Sequence, residues 1–281
     1  MKFVSFEYHG QDGFGFLSDQ IVFDLTGRLA PQVTTLKQAL SKGLLGQAHD
    51  HLGQAPQLPL HDLKLHPVIP DPDKIICVGL NYDDHRKETN RPDSEYPTIF
   101  TRFADSQVGH DQPMLKPSFS ERFDYEAELA IVIGRHGRNI SEEIAMEFIA
   151  GYACYNDGSV RDWQRHTSQF TPGKNFPGTG GFGPALVTPD EVGDYRLLPI
   201  QLRLNGTLMQ DSHLANLIFP IEKLIAYCST FTLLSPGDVI VTGTPGGVGD
   251  RREPPIYMRE GDLVEVEIGT VGTLRNRVAN A

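Results

Sequence analysis

The segment from residue 123 to residue 133 constrains the fold most, because its pattern indicates a strand that enters the core while it carries acidic side chains. It reads Phe-Asp-Tyr-Glu-Ala-Glu-Leu-Ala-Ile-Val-Ile, alternating at first and then wholly apolar. Side chains at positions i and i+2 of a strand project from the same face, so Asp124, Glu126 and Glu128 share one face. Like charges this close repel each other, and their burial is costly unless a cation lies between them.

A third carboxylate, Asp157, follows another apolar run at residues 148–155. We interpret Glu126, Glu128 and Asp157 as one metal site. Carboxylate oxygens are hard ligands that suit Mg²⁺, Mn²⁺ or Ca²⁺, with water or substrate in the remaining positions. The alternative is that the two glutamates lie on the solvated face of an edge strand.

The chain is organised as a small N-terminal unit followed by a larger body. Its 28 glycines and 20 prolines favour many short strands joined by turns. Residues 1–52 indicate short strands and one helix, and the proline-rich residues 53–73 indicate an extended connector rather than a packed element. The charged residues 81–96 are expected at the surface. Asn205-Gly206 predicts a hairpin turn, and the apolar spacing over residues 220–234 predicts a helix.

Charge and cysteine content limit the partners and the compartment. A formal net charge of -11 argues against nucleic acid or an anionic membrane as the main partner, but not against a small anionic substrate. No apolar run approaches the roughly 20 residues of a membrane span, and residues 1–9 lack the apolar core of a secretion signal. The three cysteines form no C-x-x-C pair and lie in apolar stretches, which indicates buried free thiols in a reducing cytosol. We therefore expect a cytoplasmic protein.

His85 and Glu88 form a candidate acid–base pair. They are three positions apart, so on a helical turn the carboxylate orients the imidazole. A histidine held in this way is a plausible general base near neutral pH. The alternative is an exposed histidine on a charged surface loop.

Two further segments carry polar residues that suit a site. Asp157, Arg161 and Gln164 are spaced to share one face of a helical turn, although a capping aspartate with an ordinary ion pair explains the first two. Lys174 lies in a stretch of glycine, proline and aromatic residues and is uninformative alone. The glycine-rich residues 241–249, which include Thr244, suit backbone contacts to an anion, but they lack the lysine of a nucleotide phosphate loop.

Together and in this order, these motifs resemble the fumarylacetoacetate hydrolase family. The resemblance covers residues 74–278, and residues 1–70 look like the variable N-terminal extension of its bacterial members. It divides the chain into a small N-terminal α/β domain with its connector, residues 1–70, and a catalytic domain, residues 71–281. The matching motifs are Gly79-Leu80-Asn81-Tyr82 with His85 and Glu88, Glu126-Ala127-Glu128-Leu129, Asp157 with Arg161-Asp162 and Gln164, Gly173-Lys174, Asn205-Gly206 with Gln210, and Gly243-Thr244-Pro245 with Gly247-Val248-Gly249.

The resemblance implies an α+β, mostly β fold, a mixed β-sandwich or β-roll, in a homodimer. It assigns the divalent metal, Mg²⁺ or Mn²⁺ (Ca²⁺ in crystals), to Glu126, Glu128 and Asp157. By motif position the catalytic residues are His85, Glu88, Lys174 and Gln164, with the first two on a lid, and the substrate-binding residues are Arg161, Thr244, Tyr82 and Arg102. One departure affects Arg102: many members have lysine there, and arginine keeps the charge but favours forked contacts.

The function that follows is a metal-dependent hydrolase that cleaves a carbon–carbon bond in a 2,4-dioxo acid such as an acylpyruvate or fumarylpyruvate. We expect such an enzyme to act in the catabolism of aromatic or sugar-acid compounds. Its expected partner is a small oxo acid, not nucleic acid or a membrane. The alternative is a decarboxylase, isomerase or tautomerase of a 2-oxo or 2-hydroxydienoic acid at the same site. A non-catalytic calcium protein is a different class, and it leaves His85, Glu88 and Lys174 unexplained.

Overall fold

The structure, a computed structural model, describes residues 1–89 and 92–281. Within these ranges the strands form a twelve-stranded, a five-stranded and a two-stranded sheet. The strands are β1 (Lys2–Tyr8), β2 (Gln11–Ser18), β3 (Ile21–Asp24), β4 (Gln57–Pro59), β5 (Lys64–Leu65), β6 (Ile75–Gly79), β7 (Thr98–Arg102), β8 (Gln107–Val108), β9 (Met114–Lys116), β10 (Phe123–Asp124), β11 (Ala127–Ile133), β12 (Ile149–Asn156), β13 (Ser159–Val160), β14 (Gly180–Val187), β15 (Pro199–Leu204), β16 (Thr207–His213), β17 (Val239–Val241), β18 (Leu263–Ile268) and β19 (Gly272–Asn280). The α-helices are α1 (Leu36–Ser41), α2 (Ala48–His51), α3 (Asp83–Glu88), α4 (Arg161–Gln164), α5 (Thr171–Lys174), α6 (Pro189–Val192) and α7 (Ile221–Phe231).

The large sheet places β11 and β12 at its centre, in the order β4-β3-β2-β1-β14-β12-β11-β17-β6-β7. Every residue of β11 is buried, which explains why this segment becomes a continuous apolar run rather than an alternating one. The predicted strand over residues 123–133 is interrupted: β10 pairs with β13, and Tyr125 and Glu126 lie between β10 and β11. This break lies at the acidic positions.

The five-stranded sheet packs against the large one and closes the main core. Its order is β16-β15-β18-β19-β9, and apolar residues of β15, β18 and β19 join β11 and α7 in one buried cluster. The predicted helix over residues 220–234 is α7, and its buried Leu224, Ile225 and Cys228 follow helical spacing. The predicted hairpin joins β15 to β16, with φ of 52° at Asn205 and 79° at Gly206. The α+β, mostly β class is confirmed.

The N-terminal strands extend the large sheet. β1 pairs with β14 through Lys2↔Val187 and Phe3↔Leu186, and Phe3 and Leu36 share a buried cluster with Ile75. The expectation that residues 53–73 form only a connector is wrong, because β4 and β5 pair with β3 and β1 and Ile69 is fully buried. The division at residue 70 stays a prediction.

Two other expectations concern which residues are exposed and which are buried. Residues 81–96 include residues 90 and 91, which lie outside the described residues; within the segment Asn81 and Tyr82 are fully buried, so the prediction of a surface segment fails there. All three cysteines are buried and free, as expected. In the described ranges, no helix has the length and apolar character needed to cross a membrane.

Candidate active site

Three buried carboxylates meet where β11 and β12 leave the core. The register Ala127↔Asn156 places Glu126 beside Asp157, whose backbone N–H donates to the Glu126 carbonyl oxygen at 2.9 Å. Glu128 follows on β11, and each of the three side chains has an oxygen within 4.8 Å of the other two. The structure therefore brings together the three residues that the sequence predicts as metal ligands.

Cationic side chains contact these carboxylates directly. The Nζ atom of Lys174 lies 2.7 Å from Glu126 Oε2 and 2.5 Å from Asp157 Oδ2. Arg161 Nη1 lies 2.7 Å from Glu126 Oε1, and Arg102 Nη1 donates to Asp157 Oδ1 at 2.5 Å. All of these groups are buried, so each charge depends on its partner for stabilisation.

Lys174 reaches the carboxylates because a glycine precedes it. A Cβ atom on Gly173 would lie 2.4 Å from the backbone nitrogen of Gln164, so a larger residue would push α5 away from α4. Lys174 ends α5 and is 1% exposed. A lysine that the sequence leaves uninformative is thus fixed at the centre of the site.

The carboxylates do not share one protonation behaviour. Burial would raise the pKa of Glu126, but Lys174 and Arg161 outweigh it and hold that pKa well below its ordinary value. Burial and the charges of Asp157 and Glu126 raise the pKa of Glu128 well above its ordinary value. Burial alone would lower the pKa of Lys174, but Asp157 and Glu126 raise it. Glu128 is therefore the carboxylate that most lacks a cation.

This charge balance fits a divalent metal. We call the buried charged side chains around the carboxylates the inner cluster: Arg102, Asp124, Glu126, Glu128, Asp157, Arg161 and Lys174. Four carboxylates against three cations leave a formal charge of −1 when all are ionised. Three of the carboxylates converge as hard oxygen donors, which is the ligand chemistry of Mg²⁺ and Mn²⁺. A divalent ion at Glu126, Glu128 and Asp157 would make the cluster positive and suited to an anionic substrate.

A cleft with a cavity volume of about 190 Å³, open to solvent, lies against this cluster. Its lining includes seven of the eleven predicted site residues, namely His85, Glu126, Glu128, Arg161, Gln164, Lys174 and Thr244. Asp157 is fully buried and does not line the cleft. This volume suits a substrate of only a few carbon atoms.

The predicted His85–Glu88 pair forms on α3. His85 Nδ1 lies 2.7 Å from Glu88 Oε1, and His85 lines the cleft with 6% of its surface exposed. Glu88 Oε2 also accepts the Gly247 backbone N–H at 2.9 Å, so the pair is tied to the glycine-rich loop. Gly247 has φ of 100°, and a Cβ atom there would lie 2.4 Å from the Met209 carbonyl oxygen. The loop therefore positions the carboxylate that orients His85.

Thr244 is positioned by a buried glutamine. Gln210 Nε2 donates to Thr244 Oγ1 at 2.9 Å and to the Pro245 carbonyl oxygen at 2.8 Å. Its Oε1 accepts the Ala127 backbone N–H at 2.8 Å, which links the loop to the strand that carries Glu128.

Two predicted substrate-binding residues do not line the cleft. Tyr82 is fully buried, and its backbone forms a bridge with Leu217. Arg102 is 2% exposed and contacts Asp157, the Gly158 carbonyl oxygen and Thr179 Oγ1. In this structure both side chains are enclosed by protein, and the substrate-binding role of each stays a prediction.

The helical turn predicted to carry Asp157, Arg161 and Gln164 is wrong in part. Ser159–Val160 forms β13, and the helix begins only at Arg161. Arg161 and Gln164 share α4, where Arg161 Nη1 donates to Gln164 Oε1 at 2.9 Å, whereas Asp157 lies outside the helix.

Several site residues are absent from the sequence prediction. Asp124 accepts Arg161 Nε at 2.8 Å and the backbone N–H groups of Gly249 and Asp250 at 2.9 and 3.0 Å. Its position two before Glu126 on the acidic face was the available signal. Arg165 and Arg251 line the outer part of the cleft, and no local pattern marks either of them.

Comparison with known proteins agrees with this geometry. The family model described as "Fumarylacetoacetate (FAA) hydrolase C-terminal" matches residues 74–279. A Xenopus laevis protein named as a mitochondrial oxaloacetate tautomerase is 47% identical over 212 residues. That alignment covers 75% of this chain and 66% of the frog protein, just under two thirds of its length.

Solved structures give the same result for the fold. A fumarylacetoacetate hydrolase from Exiguobacterium antarcticum matches with a TM-score of 0.90 and 34% identity over 100% of both chains. A maleylpyruvate hydrolase from Sphingobium sp. SYK-6, in complex with manganese(II) and pyruvate, matches with a TM-score of 0.84 and 27% identity over 100% of both chains. The predicted fold type is confirmed, and the chain belongs to the fumarylacetoacetate hydrolase family.

Proposed function

We propose that this protein is a divalent-metal-dependent tautomerase of a 2-oxo acid of the oxaloacetate class. The observation that carries the proposal is that His85, oriented by Glu88, lines the same cleft as Glu126 and Glu128. The 47% identity to a protein named as an oxaloacetate tautomerase supports this reading over hydrolysis. The substrate is a small anion, which suits a cluster that becomes positive with metal.

Glu126, Glu128 and Asp157 would hold the Mg²⁺ or Mn²⁺ ion. When bound, the ion supplies Lewis-acid polarisation of the substrate's 2-oxo group. Arg102 fixes Asp157 through a 2.5 Å contact and so positions this ligand without touching substrate.

His85 moves the proton. In the enol-to-keto direction one proton leaves the hydroxyl group at C2 and one arrives at C3, so no proton is gained or lost overall. His85 delivers the proton to C3 and is reprotonated from solvent or from the departing hydroxyl proton. Glu88 orients the ring through Nδ1, which leaves Nε2 as the exchanging atom.

Gln164, Lys174 and Thr244 bind the oxygens of the substrate. Gln164 Oε1 accepts Arg161 Nη1 at 2.9 Å, so its Nε2 amide remains as a donor for the oxygen that gains charge. Lys174, which lines the same cleft as Gln164, adds a buried positive charge. Thr244 is held by Gln210 and binds the C1 carboxylate.

Hydrolysis of a 2,4-dioxo acid is the second candidate. Its support is the 0.84 TM-score to a maleylpyruvate hydrolase. In that reaction His85 takes a proton from water, which attacks the distal carbonyl, and Gln164 and Lys174 stabilise the oxyanion.

One assay separates the two candidates. The enol and keto forms of oxaloacetate are followed by ultraviolet absorbance with metal-free protein, and again after Mg²⁺ or Mn²⁺ is restored. We expect interconversion to accelerate only with metal. No acceleration in the metal-loaded protein contradicts the proposal. In parallel, fumarylpyruvate is analysed for two shorter carboxylic acids, which only hydrolysis produces.

Three further proposals complete this picture. They are a homodimer, a cytoplasmic location, and a catalytic region at residues 71–281. The buried free cysteines support a reducing compartment. Light scattering after gel filtration tests the dimer, and a monomer at micromolar concentration contradicts it.

A further inference from the structure

An outer rim of charged residues borders the cleft beyond the inner cluster. It consists of Arg165, Asp250 and Arg251, all of which line the cleft. We propose that Arg251 is an anion subsite that binds the second carboxylate of an oxo diacid. This inference rests on the proposed function and identifies the residue that selects the substrate.

Arg251 is the rim cation whose guanidinium group has unused hydrogen-bond donors. Its side chain is 34% exposed, and its Nε atom lies 3.5 Å from Asp250 Oδ2, too far for a good hydrogen bond. Across residues 1–89 and 92–281, no side-chain hydrogen bond involves its guanidinium group. A guanidinium at the border of a cleft with unused forked donors is suited to a carboxylate.

Arg165 does not play this part, because Asp250 already binds it. Arg165 Nη1 donates to Asp250 Oδ1 at 3.1 Å, and Nη2 contacts Oδ2. Tyr257 Oη also donates to Asp250 Oδ1, at 2.8 Å. Asp250 and Arg165 therefore neutralise each other, and the positive charge of the rim comes from Arg251.

The backbone that carries Arg251 is fixed to the wall of the cleft. Residues Gly249–Arg251 form a 3-10 turn, and Asp124 accepts two of its N–H groups. A Cβ atom on Gly249 would lie 1.8 Å from the Ile256 carbonyl oxygen, so the turn packs closely on the following segment. The Arg251 backbone is thus held in place before substrate binds, which lowers the entropy cost of binding.

The two ends of the cleft then have different tasks. Thr244 and the inner cluster would bind the end of the substrate that carries the C1 carboxylate and the 2-oxo group, where the proton is moved. Arg251 takes the carboxylate at the far end of a short diacid. The 4-ethyl ester of oxaloacetate keeps the carbon skeleton and the reacting groups but lacks this second charge, so it is the matched probe.

The experiment measures kcat/KM for tautomerisation of oxaloacetate and of its 4-ethyl ester, with Mn²⁺-loaded wild type and Arg251→Gln. We expect the variant to lose about 10-fold to 100-fold on the diacid, mainly through KM, since a hydrogen bond to a charged group is lost. The ester should change less than about 3-fold on the same reasoning. Arg251→Lys should recover part of the loss, because it keeps the charge without the fork.

Arg135→Gln is the control, since Arg135 is an exposed arginine outside the cleft lining, paired only loosely with Glu147 at 3.7 Å. An equal loss on both substrates, or no loss on the diacid, overturns the inference, and so does a wild type that treats both substrates alike. A wild type that tautomerises neither substrate contradicts the proposed function itself. Unchanged thermal unfolding of Arg251→Gln excludes misfolding as the cause of the expected loss.

Discussion

The inner cluster and the outer rim of the cleft differ in how their charged side chains are paired and exposed. In the inner cluster, Lys174 bridges Glu126 and Asp157, and every charged side chain is almost fully enclosed. In the rim, Arg251 is one third exposed and makes no hydrogen bond through its side chain in the described residues. In this structure the inner charges are therefore paired with one another, whereas Arg251 has side-chain donors that can bind a ligand.

The difference shows where a site of this kind is free to vary. Removal of one member of a buried ion pair leaves an uncompensated charge and is costly, so changes in the inner cluster damage both the reaction and the fold. A partly exposed arginine is solvated by water when its ligand is absent, so a change there alters selectivity at little cost to stability.

The largest effect is expected from Asp157→Asn in the inner cluster. The substitution keeps the shape but removes the charge that pairs with Lys174 and Arg102. We expect activity to fall by about 10³-fold or more, because a Lewis acid contributes several kcal/mol and each 1.4 kcal/mol is about tenfold. We also expect the free energy of unfolding to fall by about 3–5 kcal/mol.

Activity, Mn²⁺ calorimetry and urea unfolding check this prediction. Asp111→Asn is the matched control, because Asp111 pairs with Arg275 at the surface with half of its side chain exposed. If Asp157→Asn matches that control in all three measurements, the inner cluster is not a metal site.

The next effect is expected from His85→Ala, which removes the proton carrier but no metal ligand. We expect kcat to fall by about 10²-fold to 10⁴-fold. Affinity for Mn²⁺ should stay within about twofold, because the ligand set is intact. Stopped-flow absorbance and calorimetry measure the two quantities, with the exposed His136→Ala as control. Full activity in His85→Ala would mean that another group moves the proton.

Local patterns predicted the residues whose chemistry depends on spacing along the chain. The i, i+2 alternation identified Glu126 and Glu128, and the i, i+3 spacing identified the His85–Glu88 pair. The contact between Arg102 and Asp157 was not predicted, because the two residues are 55 positions apart and only the folded sheet brings them together.

The same reason explains what the sequence left out of the fold. Short strands within residues 1–52 were predicted, but the pairing of β1 with β14 joins residues about 185 positions apart. The rim residue Arg251 was missed because the position of its turn depends on two hydrogen bonds to Asp124. A contact between distant segments produces no periodic pattern in the amino-acid sequence of either segment.

A smaller effect is expected from Arg102→Lys, which replaces the forked guanidinium group with a single ammonium group. Lysine keeps the charge but cannot reach both Asp157 Oδ1 and Thr179 Oγ1 as the fork does, at 2.5 and 2.8 Å. We expect affinity for Mn²⁺ to weaken by about 10-fold, the lower end of the range for partners that orient metal ligands. Calorimetry with Arg135→Lys as control measures it. Unchanged affinity would show that Arg102 only neutralises Asp157.

The smallest effect is expected in the rim, from Asp250→Asn. Burial would raise the pKa of Asp250, but its hydrogen bonds with Arg165 and Tyr257 outweigh this and lower it below the ordinary value. A carboxyl group whose pKa is lower in the folded state stabilises the protein above its unfolded pKa, about 3.9. That stabilisation disappears as pH falls through the folded value. The Asp250 side chain is 4% exposed but its partner Arg165 is 44% exposed, so water screens the pair and we expect Asp250→Asn to cost about 1 kcal/mol at pH 7.

Urea unfolding at intervals from pH 7 to pH 3 measures this difference between wild type and Asp250→Asn. It should stay constant down to about pH 4 and then shrink, because the wild-type carboxylate becomes protonated. A loss of 3 kcal/mol or more at pH 7 would place Asp250 with the inner cluster, since only a buried pair is worth that much. The ion pair between Asp250 and Arg165 would then be as strong as the ion pairs of the inner cluster, and Arg251 alone would distinguish the rim from that cluster.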